Sequence, residues 1–179
     1  EFFPPKTDNG LENLVAKAKR LADYQPRYVS VTFGAGGSTQ ETTPKTVARL
    51  LQLGLNVAPH ISCVSSSWSD LLPLLQEYFN QGVNRLVVLR GDRPSGMGTE
   101  TGDLRYAADL VTKIKAEFNN HFHLSVGAYP ETHPEAEHAQ GDFFHFQQKV
   151  QAGANGAITQ YFFNADSYFR LLRRAKNHN

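Results

Sequence analysis

The sequence predicts an α/β protein built as a barrel of parallel strands, and three observations support this class. Short apolar runs alternate with segments of helical spacing along the chain, which is typical of parallel strands returned by helices. The unit repeats about every 30 residues, the length of one strand with its helix. A polar residue lies at or near the end of each apolar run, and in a parallel sheet these ends lie at the same edge. We therefore expect a (β/α)8 TIM barrel of which about six βα units are visible.

Length and composition limit the possible classes. The chain has 179 residues, 40% hydrophobic and 20% charged, with a formal net charge of +1. Nucleic-acid binding is not expected, because no basic cluster offers phosphate neutralisation. The apolar runs are far shorter than a membrane span, and the single cysteine, Cys63, fits a reducing compartment and the protein core. We expect a cytoplasmic protein with a single barrel domain over residues 1–179, incomplete at the C-terminus and at the N-terminus.

The first unit begins at the first residue. Glu1 closes a first strand, and Asp8 is the expected cap of a helix whose apolar residues keep helical spacing until Pro26. The second strand is expected at 28–33, with Thr32 at its polar end.

The second helix and third strand follow a glycine-rich loop. Thr43 is the expected cap of this helix, with Pro44 at its first position and Gly54 at its end. The third strand, at 55–62, carries His60 near its end and leads into a leucine-rich helix.

The fourth strand has the clearest sequence pattern. Leu86 to Leu89 has no polar face, as in a strand covered on both sides. Arg90, Gly91 and Asp92 follow at once, so this strand delivers a guanidinium, a permissive backbone position and a carboxylate to the carboxyl edge, where barrels bind ligands. A helix that includes Leu104 comes next.

The last two units complete the visible pattern. The strand at 124–129 ends at Tyr129 and is followed by a proline-rich loop and a helix. The last strand, at 157–163, has Gln160 inside it, and Asn164 caps the final helix.

A doubly wound open sheet is the alternative fold. It would normally carry a Gly-x-Gly-x-x-Gly fingerprint, but Gly34, Gly36 and Gly37 are followed by Thr39 where the last glycine belongs. His133 and His138 lack metal-ligand spacing, so no metal is expected.

The polar residues at the strand ends predict an active site. The apolar neighbours Phe2 and Phe3 would favour the neutral form of Glu1, which suits a proton donor. Asp92, close to Arg90, would stay ionised and orient N–H groups of a ligand. The residues alone therefore predict a barrel enzyme for a polar, aromatic ligand.

The chain resembles the methylenetetrahydrofolate reductase family. The matching segments cover the visible chain in the family's order and are 1–6 (Glu-Phe-Phe-Pro-Pro-Lys), 29–35, 58–60 (Ala-Pro-His), 89–92 (Leu-Arg-Gly-Asp), 128–136 and 149–160. The resemblance implies an FAD-bearing catalytic barrel that reduces methylenetetrahydrofolate to methyltetrahydrofolate with NADH or NADPH by ping-pong kinetics. This activity belongs to one-carbon metabolism and supplies methionine synthesis, and we expect a homo-oligomer.

The resemblance also implies roles for individual residues. Glu1 looks like the general acid, Asp92 like an acidic residue beside flavin and folate, and Gln160 like an amide that contacts the folate. The positions that match the family's FAD contacts are Thr32, His60, Arg90, Gly91, Asp92, Tyr106, Ala107, Tyr129, His133, Asp142 and Lys149. His145 and Gln148 depart from the family pattern, which has Asn and Arg there.

Two other functions remain open. One is a catalytically silent barrel that binds folate or flavin without turnover. The other is an unrelated barrel that uses phosphate-bearing substrates without flavin.

Overall fold

Five parallel strands form one sheet in the computed structural model, in the order β1-β2-β3-β4-β5. The structure describes residues 1–33, 42–64, 66–91, 103–134, 136 and 138–177. The elements in chain order are α1 (Asp8–Ala22), β1 (Val29–Val31), α2 (Thr42–Gln52), β2 (Val57–Ser62), α3 (Trp68–Asn80), β3 (Arg85–Leu89), α4 (Ala107–Phe118), β4 (His123–Ala128), α5 (Ala139–Gln151), β5 (Gly156–Thr159) and α6 (Ala165–Lys176). Every neighbouring pair is parallel and the strand order follows the chain, which is the arrangement of part of a TIM barrel. The predicted fold class is confirmed.

The first predicted strand is reduced to a single bridge beside β1. Phe2 pairs in parallel with Val31. The N–H of Phe2 donates to the carbonyl of Ser30 at 2.8 Å, and the N–H of Thr32 donates to the carbonyl of Phe2 at 2.9 Å. The prediction that Glu1 closes a strand was therefore wrong in extent, although the bridge still places Glu1 next to the sheet.

Burial follows position in the sheet. β2 is buried at every position and β3 at its three central ones, as expected for strands covered on both faces. β4 alternates between half-buried and buried residues, and β5, at the edge of the sheet, exposes Ala157 and Ile158. The largest fully buried side chains include Tyr78, Phe122, Leu50, Ile61, Leu75 and Leu86.

Several predicted boundaries were wrong. Thr7 caps α1 rather than Asp8, because Thr7 has the extended backbone of a cap while Asp8 is already helical. Thr43 lies inside α2, where its hydroxyl donates to the carbonyl of Thr32 at 3.1 Å. Leu104 is buried before α4 begins.

The end of β5 also differs from the prediction. β5 stops at Thr159, so Gln160 follows the strand instead of lying inside it. Its N–H still donates to the carbonyl of Ala128 at 2.7 Å, which extends the pairing by one hydrogen bond. Asn164 caps α6 as predicted. Within the described ranges, no helix combines the length and apolar character needed to cross a membrane.

Candidate active site

Polar residues from successive strands lie at the carboxyl edge of the sheet. The predicted site residues that directly follow a strand are Thr32, Arg90, Tyr129 and Gln160. His60 lies within β2, level with Val87 of β3. The parallel sheet thus brings predicted site residues to one edge. Asp92, predicted for catalysis and ligand binding, lies outside the described residues.

Glu1 and His60 approach each other beside β1. The Nε2 atom of His60 lies 3.6 Å from Oε2 of Glu1. Burial lowers the pKa of His60, and the Glu1 carboxylate offsets part of that shift. The apolar enclosure predicted for Glu1 is wrong, because Phe3 is 70% exposed and the Glu1 side chain is 49% exposed. The pair therefore consists of a buried, mostly neutral ring and a half-exposed carboxylate.

The backbone after β3 is held closely against the end of β2. The Ser62 hydroxyl donates to the carbonyl of Arg90 at 2.7 Å, and the N–H of Val64 donates to the same oxygen at 2.8 Å. Gly91 has a φ of +86°, and a Cβ there would collide with the Ser62 hydroxyl and lie 2.7 Å from Cγ1 of Val64. Only glycine fits this position without a shift of its neighbours. A ligand at this point would meet backbone atoms of Gly91.

A connected cluster joins the end of β4 to α5. The Lys149 ammonium donates to the carbonyl of Gly127 at 2.5 Å. Burial lowers the pKa of Lys149, and the Asp142 carboxylate acts in the opposite direction. Oδ2 of Asp142 accepts the N–H of His133 at 3.1 Å, and the His133 ring meets the Tyr129 ring with centroids 4.5 Å apart. Four of the predicted cofactor residues thus share one network around a partly buried cation.

Tyr106 and Ala107 lie at the start of α4. The N–H of Tyr106 donates to Oδ2 of Asp109 at 2.8 Å, which fixes this end of the helix. The Tyr106 ring stacks on His145 of α5, with centroids 5.0 Å apart and planes 29° apart. The Arg105 guanidinium lies 5.3 Å from the centroid of Tyr106. The start of α4 is therefore joined to α5 by this ring stacking.

Gln160 has a fixed backbone and an exposed residue surface. In addition to its bond to β4, its Oε1 accepts the N–H of Tyr161 at 2.8 Å. The side-chain amide group is therefore oriented by the chain itself.

Glu131 is not among the predicted site residues. Its Oε1 accepts the N–H groups of Phe163 at 3.1 Å and of Asn164 at 2.8 Å. These partners lie more than 30 residues away in the chain, so local sequence patterns give no signal for the contact. Glu131 connects the loop after β4 to the loop after β5.

Cys63 and the possible metal ligands of the described ranges bear on nucleophilic and metal chemistry. Cys63 is buried, and burial raises the pKa of its thiol to about 11, so the thiolate is scarce at neutral pH. No group of three or more His, Cys, Asp or Glu side chains in these ranges is placed to hold a metal ion.

Relatives of the chain identify its family. A family model described as "Methylenetetrahydrofolate reductase" matches residues 1–179. The 5,10-methylenetetrahydrofolate reductase of Escherichia coli (strain K12) is 41% identical over 175 residues, which cover 97% of this chain and 57% of that protein. The protein of the same name from Buchnera aphidicola subsp. Schizaphis graminum is 40% identical over 172 residues, with 96% and 57% covered. The chain thus spans 57% of the length of these curated relatives.

A solved structure agrees with the fold. It is an uncharacterized protein from Clostridium thermocellum, described as binding two copies of 5-methyl-5,6,7,8-tetrahydrofolic acid. Its TM-score to this chain is 0.66 at 17% identity, and the match covers 99% of this chain and 60% of that one. At this identity the likeness supports the fold alone. The family match over the whole chain, together with relatives near 41% identity, shows that the chain belongs to the methylenetetrahydrofolate reductase family.

Proposed function

We propose that this chain carries out the flavin-dependent reduction of 5,10-methylenetetrahydrofolate to 5-methyltetrahydrofolate, with NADH or NADPH as the reductant. The observation that supports it most is the approach of Glu1 to His60 beside the end of β1. The Glu1 carboxylate is half exposed there, as a group that donates a proton to a folate would need to be. The activity would serve one-carbon metabolism and methionine supply. The assembly of this chain into a homo-oligomer stays a prediction.

The described residues fit FAD. The Lys149 ammonium is partly buried and donates to a neutral carbonyl, so a nearby anionic group would offset its desolvation. The stacked rings of Tyr106 and His145 offer a flat surface to an aromatic ligand. We propose that the residues that hold FAD are Thr32, His60, Arg90, Gly91, Tyr106, Ala107, Tyr129, His133, Asp142 and Lys149, together with Asp92.

FAD, when bound, supplies hydride transfer between the two substrates. The chain's own residues bind, orient and donate protons. Glu1 donates a proton to a ring nitrogen of the folate, so that the five-membered ring opens to an iminium that can accept hydride. Because the Glu1 carboxylate is half exposed, solvent can return the proton after each turnover.

Gln160 and Asp92 complete the proposed substrate site. The Gln160 amide contacts the folate, and the Asp92 carboxylate orients its N–H groups. Both substrates use the same edge of the sheet in turn, and this shared site gives ping-pong kinetics.

Replacement of Glu1 by Gln tests the proposal. In Glu1→Gln, NAD(P)H should still bleach the flavin absorbance, while folate reduction should fall by about 100-fold or more, the usual contribution of a general acid. Glu117→Gln, an exposed position on α4, is the matched control and should keep both half-reactions. Folate turnover that survives Glu1→Gln would refute the acid assignment. A protein that binds FAD but does not reduce folate in the wild-type form would instead be a catalytically silent barrel.

A further inference from the structure

The loop after β5 is joined by hydrogen bonds, at its beginning and at its end, to the end of β4 and the loop after β4. At the first end, the N–H of Gln160 donates to the carbonyl of Ala128 at 2.7 Å. At the second end, Oε1 of Glu131 accepts the N–H groups of Phe163 and Asn164 at 3.1 and 2.8 Å. The segment that begins with Gln160 and ends with Asn164 is thus held by the last residue of β4 and by Glu131, which follows that strand.

The second fastening, through the Glu131 carboxylate, consists of charge-assisted hydrogen bonds. A single carboxylate oxygen accepts two consecutive backbone N–H groups, and hydrogen bonds to a charged acceptor are stronger than neutral ones. These N–H groups precede the first turn of α6, where the helix dipole favours negative charge.

Glu131 is not needed to begin the helix. Asn164 already caps α6, because its Oδ1 accepts the N–H of Asp166 at 2.9 Å. The Glu131 carboxylate therefore sets where the start of α6 lies relative to β4, rather than whether the helix forms.

The side chains between the two fastenings add little anchoring. Tyr161 is 77% exposed and Phe163 is 87% exposed, and they contact each other with ring centroids 5.1 Å apart. Phe162 stacks on Tyr168 of the adjoining helix at 5.3 Å. Among the described residues, these ring contacts stay within the connection and α6. Farther along α6 the Arg174 guanidinium lies 4.0 Å from the centroid of the Phe143 ring of α5, so the two backbone fastenings act at the start of the helix.

We propose that Glu131 is a positioning residue that fixes the segment from Gln160 to Asn164 and thereby places Gln160 for the folate. This inference rests on the proposed function, in which the Gln160 amide contacts that substrate. The loop that carries Glu131 also carries Tyr129 and His133, so one carboxylate links the proposed cofactor side of the edge to its substrate side.

Two variants and two measurements test the inference. Glu131→Ala removes the acceptor, whereas Glu131→Gln keeps a side-chain oxygen for the two N–H groups, and Glu117→Ala is the matched control. In Glu131→Ala the amide protons of Phe163 and Asn164 should exchange with solvent about 10-fold faster or more. The KM for methylenetetrahydrofolate should rise about 10-fold, the result of losing a charge-assisted hydrogen bond, while reduction of the flavin by NAD(P)H is unchanged. Glu131→Gln should recover most of the loss in KM.

The outcomes separate this inference from the proposed function. Unchanged amide exchange in Glu131→Ala overturns the fastening, and faster exchange with an unchanged KM overturns the positioning role. A Glu131→Gln variant as impaired as Glu131→Ala also overturns it. If the wild-type protein does not reduce folate, the proposed function fails. The affinity for 5-methyltetrahydrofolate, measured by titration, then replaces KM in the same comparison.

Discussion

The Nε2 atom of His60 lies 3.6 Å from Oε2 of Glu1, and the two side chains are 10% and 49% exposed. Burial lowers the pKa of the histidine, although the carboxylate pulls it upward. His60 therefore resists protonation in the folded protein more than it does in the unfolded chain. This difference makes the pair a source of pH-dependent stability.

The free energy of unfolding should decrease as the pH is lowered from about 8 to about 5. His60 in the unfolded chain takes up its proton near the ordinary value of 6.5, whereas the folded state does so only at lower pH. The contribution is therefore complete above pH 6.5 and is lost as the pH falls towards the folded-state pKa. One such proton gives a slope of at most about 1.4 kcal/mol per pH unit. Urea unfolding at several pH values measures the slope, and His60→Gln should reduce it.

A second histidine must be separated from this effect. The pKa of His123 is also lowered, first by burial and then by Arg85, so His123→Gln should reduce the slope as well. Gln76→Ala, at an exposed position of α3 whose side chain does not titrate, is the control and should leave the slope unchanged. A slope that does not respond to His60→Gln would contradict the prediction.

Gly91→Ala should destabilise the protein more than Gly54→Ala. Both glycines have positive φ, +86° and +76°, so both variants bear the strain of a left-handed backbone, about 1 kcal/mol. Only Gly91 faces a collision, with Ser62 and Val64, while Gly54 has nothing within 4 Å. Overpacking of this kind adds about 1 to 3 kcal/mol. Urea denaturation of the two variants measures the difference in their free energies of unfolding. Equal decreases would contradict the prediction and show that the end of β2 shifts at little cost.

Lys149→Met should weaken FAD binding by about 10-fold or more, because an anionic ligand loses a partly buried cation. The unliganded chain should not become less stable, since the substitution also removes a charge that is costly to bury. Quenching of flavin fluorescence on titration measures the affinity. Lys113→Met, at an exposed position of α4, should bind FAD normally. Equal affinities for the two variants would exclude Lys149 from the cofactor site.

Cys63 should be unreactive in the folded protein. Burial raises the pKa of its thiol to about 11 and leaves none of its surface exposed. Near pH 8 a disulfide reagent should therefore label the folded chain at least about 100-fold more slowly than the chain in concentrated urea. Rapid labelling without urea would show that the core around Cys63 opens readily.

The sheet was predictable because its strands are apolar runs that stop at charge. The run from Leu86 to Leu89 became β3, buried in its centre and followed by Arg90. The same rule failed after Gln160, since Tyr161 to Phe163 continues the apolar pattern without pairing and two of these three side chains are exposed. An apolar run alone does not distinguish a strand from an aromatic loop.

The sequence allowed individual candidate site residues to be chosen, but it did not predict which residues contact each other. Phe2 and Phe3 suggested an apolar setting for Glu1, but Phe2, its neighbour on an extended chain, points to the opposite side. Phe3 is 70% exposed, so it does not enclose the carboxylate either. Glu131 acts through partners 32 and 33 residues away. Ser62 likewise holds a carbonyl 28 residues away, at Arg90. Such roles depend on which strand ends become neighbours, which follows from the fold rather than from local spacing.

The contact between Ser62 and Gly91 has a consequence for sequence divergence. The Ser62 side chain fills the volume that any larger residue at Gly91 would require, while its hydroxyl binds the preceding carbonyl. A larger residue at position 62 would press on the Gly91 backbone, and the positive φ of Gly91 excludes relief by a side chain there, so change at both positions should be restricted together. Mutagenesis libraries that diversify this rim should therefore hold both residues constant.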